Sequence, residues 1–354
     1  MQNLISQYGI LALVAFLITF VMVKAAVQFF PQWGLMDRPH LYGKVRKAIP
    51  YYGGLAIFAS FLIVVGIFLP FEDVKYLLLA SGMVVLVGFL DDKYNVSPWL
   101  RLLVQFLAGL VLVFAGVFIF SVNLPILGVV DFVGFSHVTG WYLLGAPLLS
   151  ALFTIFWVMT ILNSMNFVDG VSGLSSGVTF IAGMTIFALS VHPSIHEDPS
   201  SQFLVASLSL ILAMIALAFF IFDFPKPKIL MGDSGSTFFG LMIAVLAILS
   251  GGKIATAFLV LGLPILDLLW VVGRRLMAGR KPWQGDLKHL HHRLLDVGFS
   301  EKKVVTLYLL VTGFLGFSAI TFVSTEQKFF MIVGLGFFML ILAMALVLIP
   351  RKKG

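Results

Sequence analysis

Apolar residues run through this chain in long blocks separated by short polar loops. The blocks fall at roughly 4–30, 53–69, 76–90, 100–120, 142–162, 174–190, 203–222, 236–250, 254–273, 304–323 and 328–349. Such runs match neither the alternation of a half-buried strand nor the one-sided stripe of a surface helix, and they predict helices apolar on every face. A bilayer span takes ~20 apolar residues. Several runs, among them 53–69, 76–90 and 236–250, are shorter than 18 residues, so the number of crossings is uncertain by about one. The expected fold is an all-α polytopic membrane protein of about eleven transmembrane helices.

The basic residues orient it. With the N-terminus outside and the C-terminus cytoplasmic, the inner loops and tail carry 19 of the 23 Lys and Arg, and the outer loops carry three, Lys75, Lys253 and Lys328. The positive-inside rule favours that orientation. The same distribution accounts for the net charge of +7 without a nucleic-acid partner. The outer segment from Ser121 to Gly140 has no Lys or Arg and reads as a short hairpin at the membrane surface.

Composition agrees. Of 354 residues, 60% are hydrophobic and 11% charged, against ~25% charged in soluble domains, and mean hydropathy is +1.07. No cysteine is present, which removes disulfides and thiolate metal sites. The first run lacks a basic leader and is longer than a signal-peptide core. No repeat or linker divides residues 1–354, which are read as one domain.

Candidate chemistry sits almost entirely on the inner side, in loops 31–52, 91–99, 163–173, 223–235 and 274–303. Adjacent carboxylates Asp91 and Asp92 at the end of a span are costly unless they hold a cation or do chemistry; an ion pair with Lys93 or Arg101 is the simpler alternative. Asn163 and Asn166 lie three apart on a helix end and so share a face, with Asp169 and Gly170 following. Asp233 stands in Gly232-Asp-Ser-Gly-Ser236, where glycines permit close approach and a helix start offers N–H groups to phosphate. These oxygen donors suit Mg²⁺ or Mn²⁺. Asp286 and His289-Leu-His291-His292 follow, and adjacent His291 and His292 do not readily converge on one zinc ion. The histidines are better suited to donating hydrogen bonds to sugar or pyrophosphate oxygens, beside Asp286.

Together these motifs resemble the polyprenyl-phosphate N-acetylhexosamine-1-phosphate transferases. The resemblance runs from Asp37 to Leu295 through Lys47-x-x-Pro50-x-x-Gly53-Gly54, Asp91-Asp92-Lys-Tyr-Asn95, Asn163-x-x-Asn166-x-x-Asp169-Gly170, Met231-Gly-Asp233-Ser-Gly-Ser236 and His289-Leu-His291-His292-Arg293-Leu294. The His-x-His-His pattern is similar to the bacterial branch that moves N-acetylglucosamine 1-phosphate from UDP-N-acetylglucosamine to undecaprenyl phosphate, releasing UMP. Those reactions open the synthesis of O-antigen, common antigen or teichoic acid at the cytoplasmic face of the inner membrane. The resemblance implies catalytic roles for Asp91, Asp92, Asp169 and His291, and Asp233 as the Mg²⁺ ligand. It also implies substrate contacts from Lys47, Asn163, Asn166, Asp286, His289, His292 and Arg293, membrane lipids as surroundings, and a homodimer as one open assembly. Two positions depart from the pattern: Asn95 replaces a third acid, and Leu230 stands where relatives often carry an aromatic. A transporter or flippase for an anionic lipid-linked sugar is the alternative. It would place polar groups in mid-span, where only Lys24 and Asp267 lie.

Overall fold

Each of the eleven apolar runs overlaps a helix in the structure, a computed structural model that describes residues 2–37, 39, 47–124, 128–192, 199–250, 254–279, 281, 289–321 and 324–348. The helices are α1 (Gln2–Phe29), α2 (Gly53–Phe68), α3 (Phe71–Tyr94), α4 (Pro98–Phe114), α5 (Phe132–Thr139), α6 (Leu148–Val168), α7 (Leu174–Ser190), α8 (Phe203–Asp223), α9 (Gly232–Leu249), α10 (Ile254–Val260), α11 (Gly262–Met277), α12 (Leu290–Asp296), α13 (Glu301–Thr321) and α14 (Thr325–Leu348). Among the described residues six helices are long and apolar enough to cross a membrane. They become seven if the bent pair α10–α11 is one span, and α2, α4 and α7 are shorter apolar helices. This is a multi-pass membrane protein.

The run read as one helix over 254–273 is broken, with α10 and α11 meeting at 81°. The cause is local. Gly262 weakens the helix at the joint, and Pro264 has no N–H to return to the carbonyl of Val260.

The centre of the bundle is α9, whose side chains are buried on all faces. It packs against α6, α3, α2, α7 and α8. Between helices in lipid, attraction comes from close packing, and small residues let backbones approach. Glycines do this here. A Cβ on Gly88 of α3 would stand 2.6 Å from Ser234 Cα, and one on Gly240 of α9 would stand 2.8 Å from Leu162 Cα of α6. A Cβ on Gly54 of α2 would run into the backbone nitrogen of Gly235.

The C-terminal ends of α3, α6 and α8 therefore gather with the N-terminal ends of α2, α4, α7 and α9. The opposite end carries the expected hairpin: β1 (Ser121–Leu124) pairs antiparallel with β2 (Gly128–Asp131), followed by α5. Asp131 caps α5 by accepting the Val133 N–H at 2.8 Å.

Candidate active site

Two segments far apart in sequence are fastened together before any functional side chain is placed. The Gly53 and Gly54 N–H groups donate to the carbonyls of Leu230 and Met231, both at 2.8 Å, and the Leu230 N–H donates to Pro50 at 2.9 Å. The stretch ending in Gly53-Gly54 thus fixes the approach to α9. Upstream, the Asp37 N–H donates to the Ile49 carbonyl at 3.0 Å, while the Ile49 N–H donates to Asp37 Oδ1 at 2.7 Å. Lys47 lies exposed at the start of this segment.

The adjacent acids Asp91 and Asp92, in the last turn of α3, have different partners. Asp92 Oδ1 accepts from the Tyr51 hydroxyl at 2.8 Å and from the Asp233 N–H at 2.9 Å, and Oδ2 accepts from the Ser234 N–H at 3.4 Å. It caps the positive start of α9 from another helix. Gly232 has φ +78°, and any Cβ there would lie 2.5 Å from Asp92 Oδ2, so both its conformation and its bareness are needed. Asp91 instead meets Arg101 of α4. The Arg101 Nη1 donates to Asp91 Oδ2 at 2.5 Å and to Asp233 Oδ2 at 3.0 Å. One guanidinium holds together two carboxylates 142 positions apart in the chain. The ion pair with Arg101 that sequence allowed as the simpler reading does form, and it joins the acids of two motifs. Lys93 lies over the rings of Tyr94 and Phe89, 5.2 and 5.9 Å from their centroids.

Asn163 and Asn166 share a face as expected. With Asp233, Arg101, Gln105 and Thr237 they line a small open pocket floored by Val84, Val87 and Gly88. The Asn163 Nδ2 donates to Gln105 Oε1 at 2.8 Å, and the Asn166 Nδ2 to the Ser236 hydroxyl at 3.2 Å. Asp169 caps the end of α6 and is partly buried. Burial, and then the nearby carboxylates of Asp223, Asp233 and Asp92, push its pKa well above the ordinary carboxylate range. Asp223 is itself buried, accepting from the Gly173 N–H at 2.7 Å and the Ser176 hydroxyl at 3.0 Å, which pins the turn after Asp169.

The histidines form a neighbouring cluster. His289 and His291 lie parallel, 6° apart with centroids 5.8 Å apart, and His292 is 4.2 Å from His291. His291 is buried, and neither ring nitrogen has a hydrogen-bond partner among the described residues. Burial, reinforced by the imidazoles of His292 and His289, lowers its pKa well below the usual histidine value, so the ring is neutral at physiological pH. A Cβ on Gly170 would stand 2.7 Å from His291 Nε2, so this glycine joins the asparagine motif to the histidine motif. Arg293 lies in α12, next to His292, and Asp286 lies outside the described residues.

Sequence reading gave no site role to Tyr51, Gln105, Asp223 and Asp267, and treated Arg101 only as a counter-ion. A Gln inside the apolar run 100–120, an Asp inside the run 254–273 and an Asp closing the run 203–222 were the available signals.

No group of three or more acidic or His side chains is arranged to hold a metal among the described residues. Two aspartate oxygens, from Asp91 and Asp233, nevertheless converge on one cationic group. Asp233, whose Oδ2 already meets that cation, fits Mg²⁺, which typically takes one or two carboxylates and completes its shell with water and substrate phosphate.

Fold and site define an integral membrane protein that gathers carboxylate, guanidinium and amide side chains at one end of its helix bundle. Residues 74–251 match the model of glycosyl transferase family 4, and the chain belongs to that family. It is similar to a probable undecaprenyl-phosphate N-acetylglucosaminyl 1-phosphate transferase of Bacillus subtilis, at 28% identity over 99% of this chain and 94% of the relative. It is also similar to the decaprenyl-phosphate N-acetylglucosaminephosphotransferase of Mycobacterium tuberculosis, at 30% identity over 88% and 82%. The undecaprenyl-phosphate alpha-N-acetylglucosaminyl 1-phosphate transferase of Escherichia coli K12 is 27% identical over 85% and 80%.

Proposed function

We propose that this protein transfers N-acetylglucosamine 1-phosphate from UDP-N-acetylglucosamine to undecaprenyl phosphate at the cytoplasmic face of a bacterial inner membrane. An oxygen of the lipid phosphate attacks the sugar-bearing phosphorus, a new pyrophosphate bond forms, and UMP leaves. The product is the first lipid-linked intermediate of a surface polymer of the O-antigen, common-antigen or teichoic-acid type. The observation that carries this reading is the convergence of Asp91, Asp92, Asp233 and Arg101 beside the Asn163–Asn166 pocket at one end of an apolar bundle. The names of the relatives support the sugar and the prenyl phosphate.

Phosphoryl transfer asks mainly for positioning and charge neutralisation. Asp233 would hold Mg²⁺, which supplies charge neutralisation on the pyrophosphate when bound. Asp91 orients or deprotonates the lipid phosphate, Asp92 fixes the start of α9, and Arg101 offsets developing negative charge. Asn163, Asn166, Asp169, Lys47 and the histidines, with Asp286 and Arg293, hold the nucleotide sugar. Asp267, the acid that a transporter reading would use inside a span, is committed to His289 and Leu290.

Purified protein with Mg²⁺, undecaprenyl phosphate and a panel of UDP-sugars tests the reading. UMP and a pyrophosphate-linked lipid should form from UDP-N-acetylglucosamine and not from UDP-muramoyl-pentapeptide. Efficient use of the pentapeptide nucleotide overturns the branch, and no transfer at all overturns the function. The proposed topology has eleven crossings with the N-terminus outside, supported by the 19-to-3 division of basic residues. A cysteine at Val138 should then react with an impermeant thiol reagent in intact cells and one at Ser300 should not; the reverse labelling rejects it.

A further inference from the structure

Asp267 lies in α11, just beyond the 81° break, and no motif of the site includes it. It is only 4% exposed. A carboxylate so placed is costly unless its oxygens are satisfied. Both are, by one short segment: Oδ2 faces His289 Nδ1 at 3.0 Å and Oδ1 accepts the Leu290 N–H at 2.9 Å. His289 is 5% exposed, and its ring packs on Phe167 of α6 at 4.8 Å and lies parallel to His291. The Leu290 N–H belongs to the first residue of α12, the helix that carries His291 and His292.

We infer that Asp267 is the positioning residue of the histidine motif. Its two oxygens do separate things. One keeps a proton on His289 Nδ1, which leaves Nε2 as the ring's acceptor and fixes the ring plane between Phe167 and His291. The other fixes where α12 begins, and so sets His291 beside Gly170. The broken span is what makes this possible. A straight continuation of α10 would carry Asp267 along the bundle axis, whereas the bend at Gly262 brings it beneath the histidine segment. The inference rests on the transferase reading only for its kinetic readout, and Asp267 acts through His289 without touching substrate itself.

The test uses full-length purified protein as wild type, Asp267→Ala, His289→Ala, the double variant, and Asp267→Asn. In ¹⁵N-histidine spectra, where the chain has seven histidines and His289 is assigned by its loss in His289→Ala, the His289 proton should sit on Nδ1. Asp267→Asn has one acceptor oxygen for two donors, so with that oxygen held by the Leu290 N–H its amide N–H2 faces His289 Nδ1 and should move the ring proton to Nε2, while Asp267→Ala should leave the tautomer unfixed. In turnover assays Asp267→Ala should raise KM for the UDP-sugar about fivefold or more and leave KM for the prenyl phosphate unchanged. Added to His289→Ala it should cost less than it does alone, because only the bond to the Leu290 N–H is then left to lose. Protonation of His289 at Nε2 in the wild type, or a full additional loss in the double variant, overturns the inference. If the wild type transfers no sugar phosphate, the function fails, and the tautomer of His289 still decides the role of Asp267.

Discussion

The acidic corner and the histidine corner are neighbours built on opposite plans. Around Asp91, Asp92, Asp233 and Arg101, each charged group has a partner and the backbones of α2, α3 and α9 touch through glycine. Around His291 the segment is held at its start by Asp267, and a neutral ring lies buried with both nitrogens unpartnered among the described residues. A group that must counter a fixed negative charge gains from being rigid before the reaction, since nothing then has to reorganise. A recognition group that keeps its hydrogen-bonding capacity unspent holds it for a ligand. We propose that the first corner carries the chemistry and the second discriminates among sugars.

The sharpest way to break this assignment is at the acids. Asp233→Asn should lower turnover by ~10²- to 10³-fold and weaken Mg²⁺-dependent binding of UDP-sugar. Asp91→Asn should cost ~10²- to 10⁴-fold in turnover while leaving that binding intact. Calorimetry beside turnover reads both, and loss of nucleotide binding in Asp91→Asn would merge the two roles. Chelation with EDTA should abolish wild-type turnover, and full activity in chelator removes the metal from the account.

A smaller effect separates the adjacent acids. Asp92 caps α9 through two backbone hydrogen bonds and also accepts from the Tyr51 hydroxyl, so Asp92→Ala should cost ~1–2 kcal/mol of stability, visible as a lower Tm in detergent. Asp91→Ala leaves only an exposable arginine behind and should change Tm less. Equal losses would deny the division between cap and chemistry.

Smaller still are two shifts with pH. The pKa of His291 is lowered by folding, so the unfolded chain takes up its proton first and stability falls as pH drops below the ordinary histidine value of 6.5. The Tm of wild type should therefore fall more steeply between pH 7 and 5 than that of His291→Gln. Asp169 has the opposite sign. Its folded pKa is raised, so stability present below the carboxylate value of 3.8 is lost as pH rises through the folded pKa. Asp169→Asn should thus be more stable than wild type near neutral pH, with the gain shrinking on acidification and activity lost throughout. Parallel Tm profiles for wild type and either variant would show that burial there costs nothing.

Much of this was legible in the sequence, for stated reasons. Apolar runs reveal spans because lipid demands satisfied backbones. The motifs around Asp91, Asn163, Asp233 and His291 were visible because charges at span ends are expensive. What stayed hidden were pairings over distance: Arg101 with Asp233 across 132 positions, Tyr51 with Asp92 across 41, and Asp267 with His289 across a break. Local pattern carries no information about which span ends meet. The break itself was signalled by Gly262 and Pro264, but the hydropathy of the run concealed it.

The bare α-carbons at Gly54 and Gly88 carry a consequence for variation. Neither offers a functional group, and both stand where α9 passes closest to its neighbours. Each larger residue there must displace the helix that bears Asp233, by an amount set by its first added atom rather than by its polarity. In a saturation library selected for polymer synthesis, alanine at these positions should therefore be depleted almost as strongly as leucine or aspartate. At the lipid-facing Leu86 of the same α3, by contrast, survival should sort by hydrophobicity.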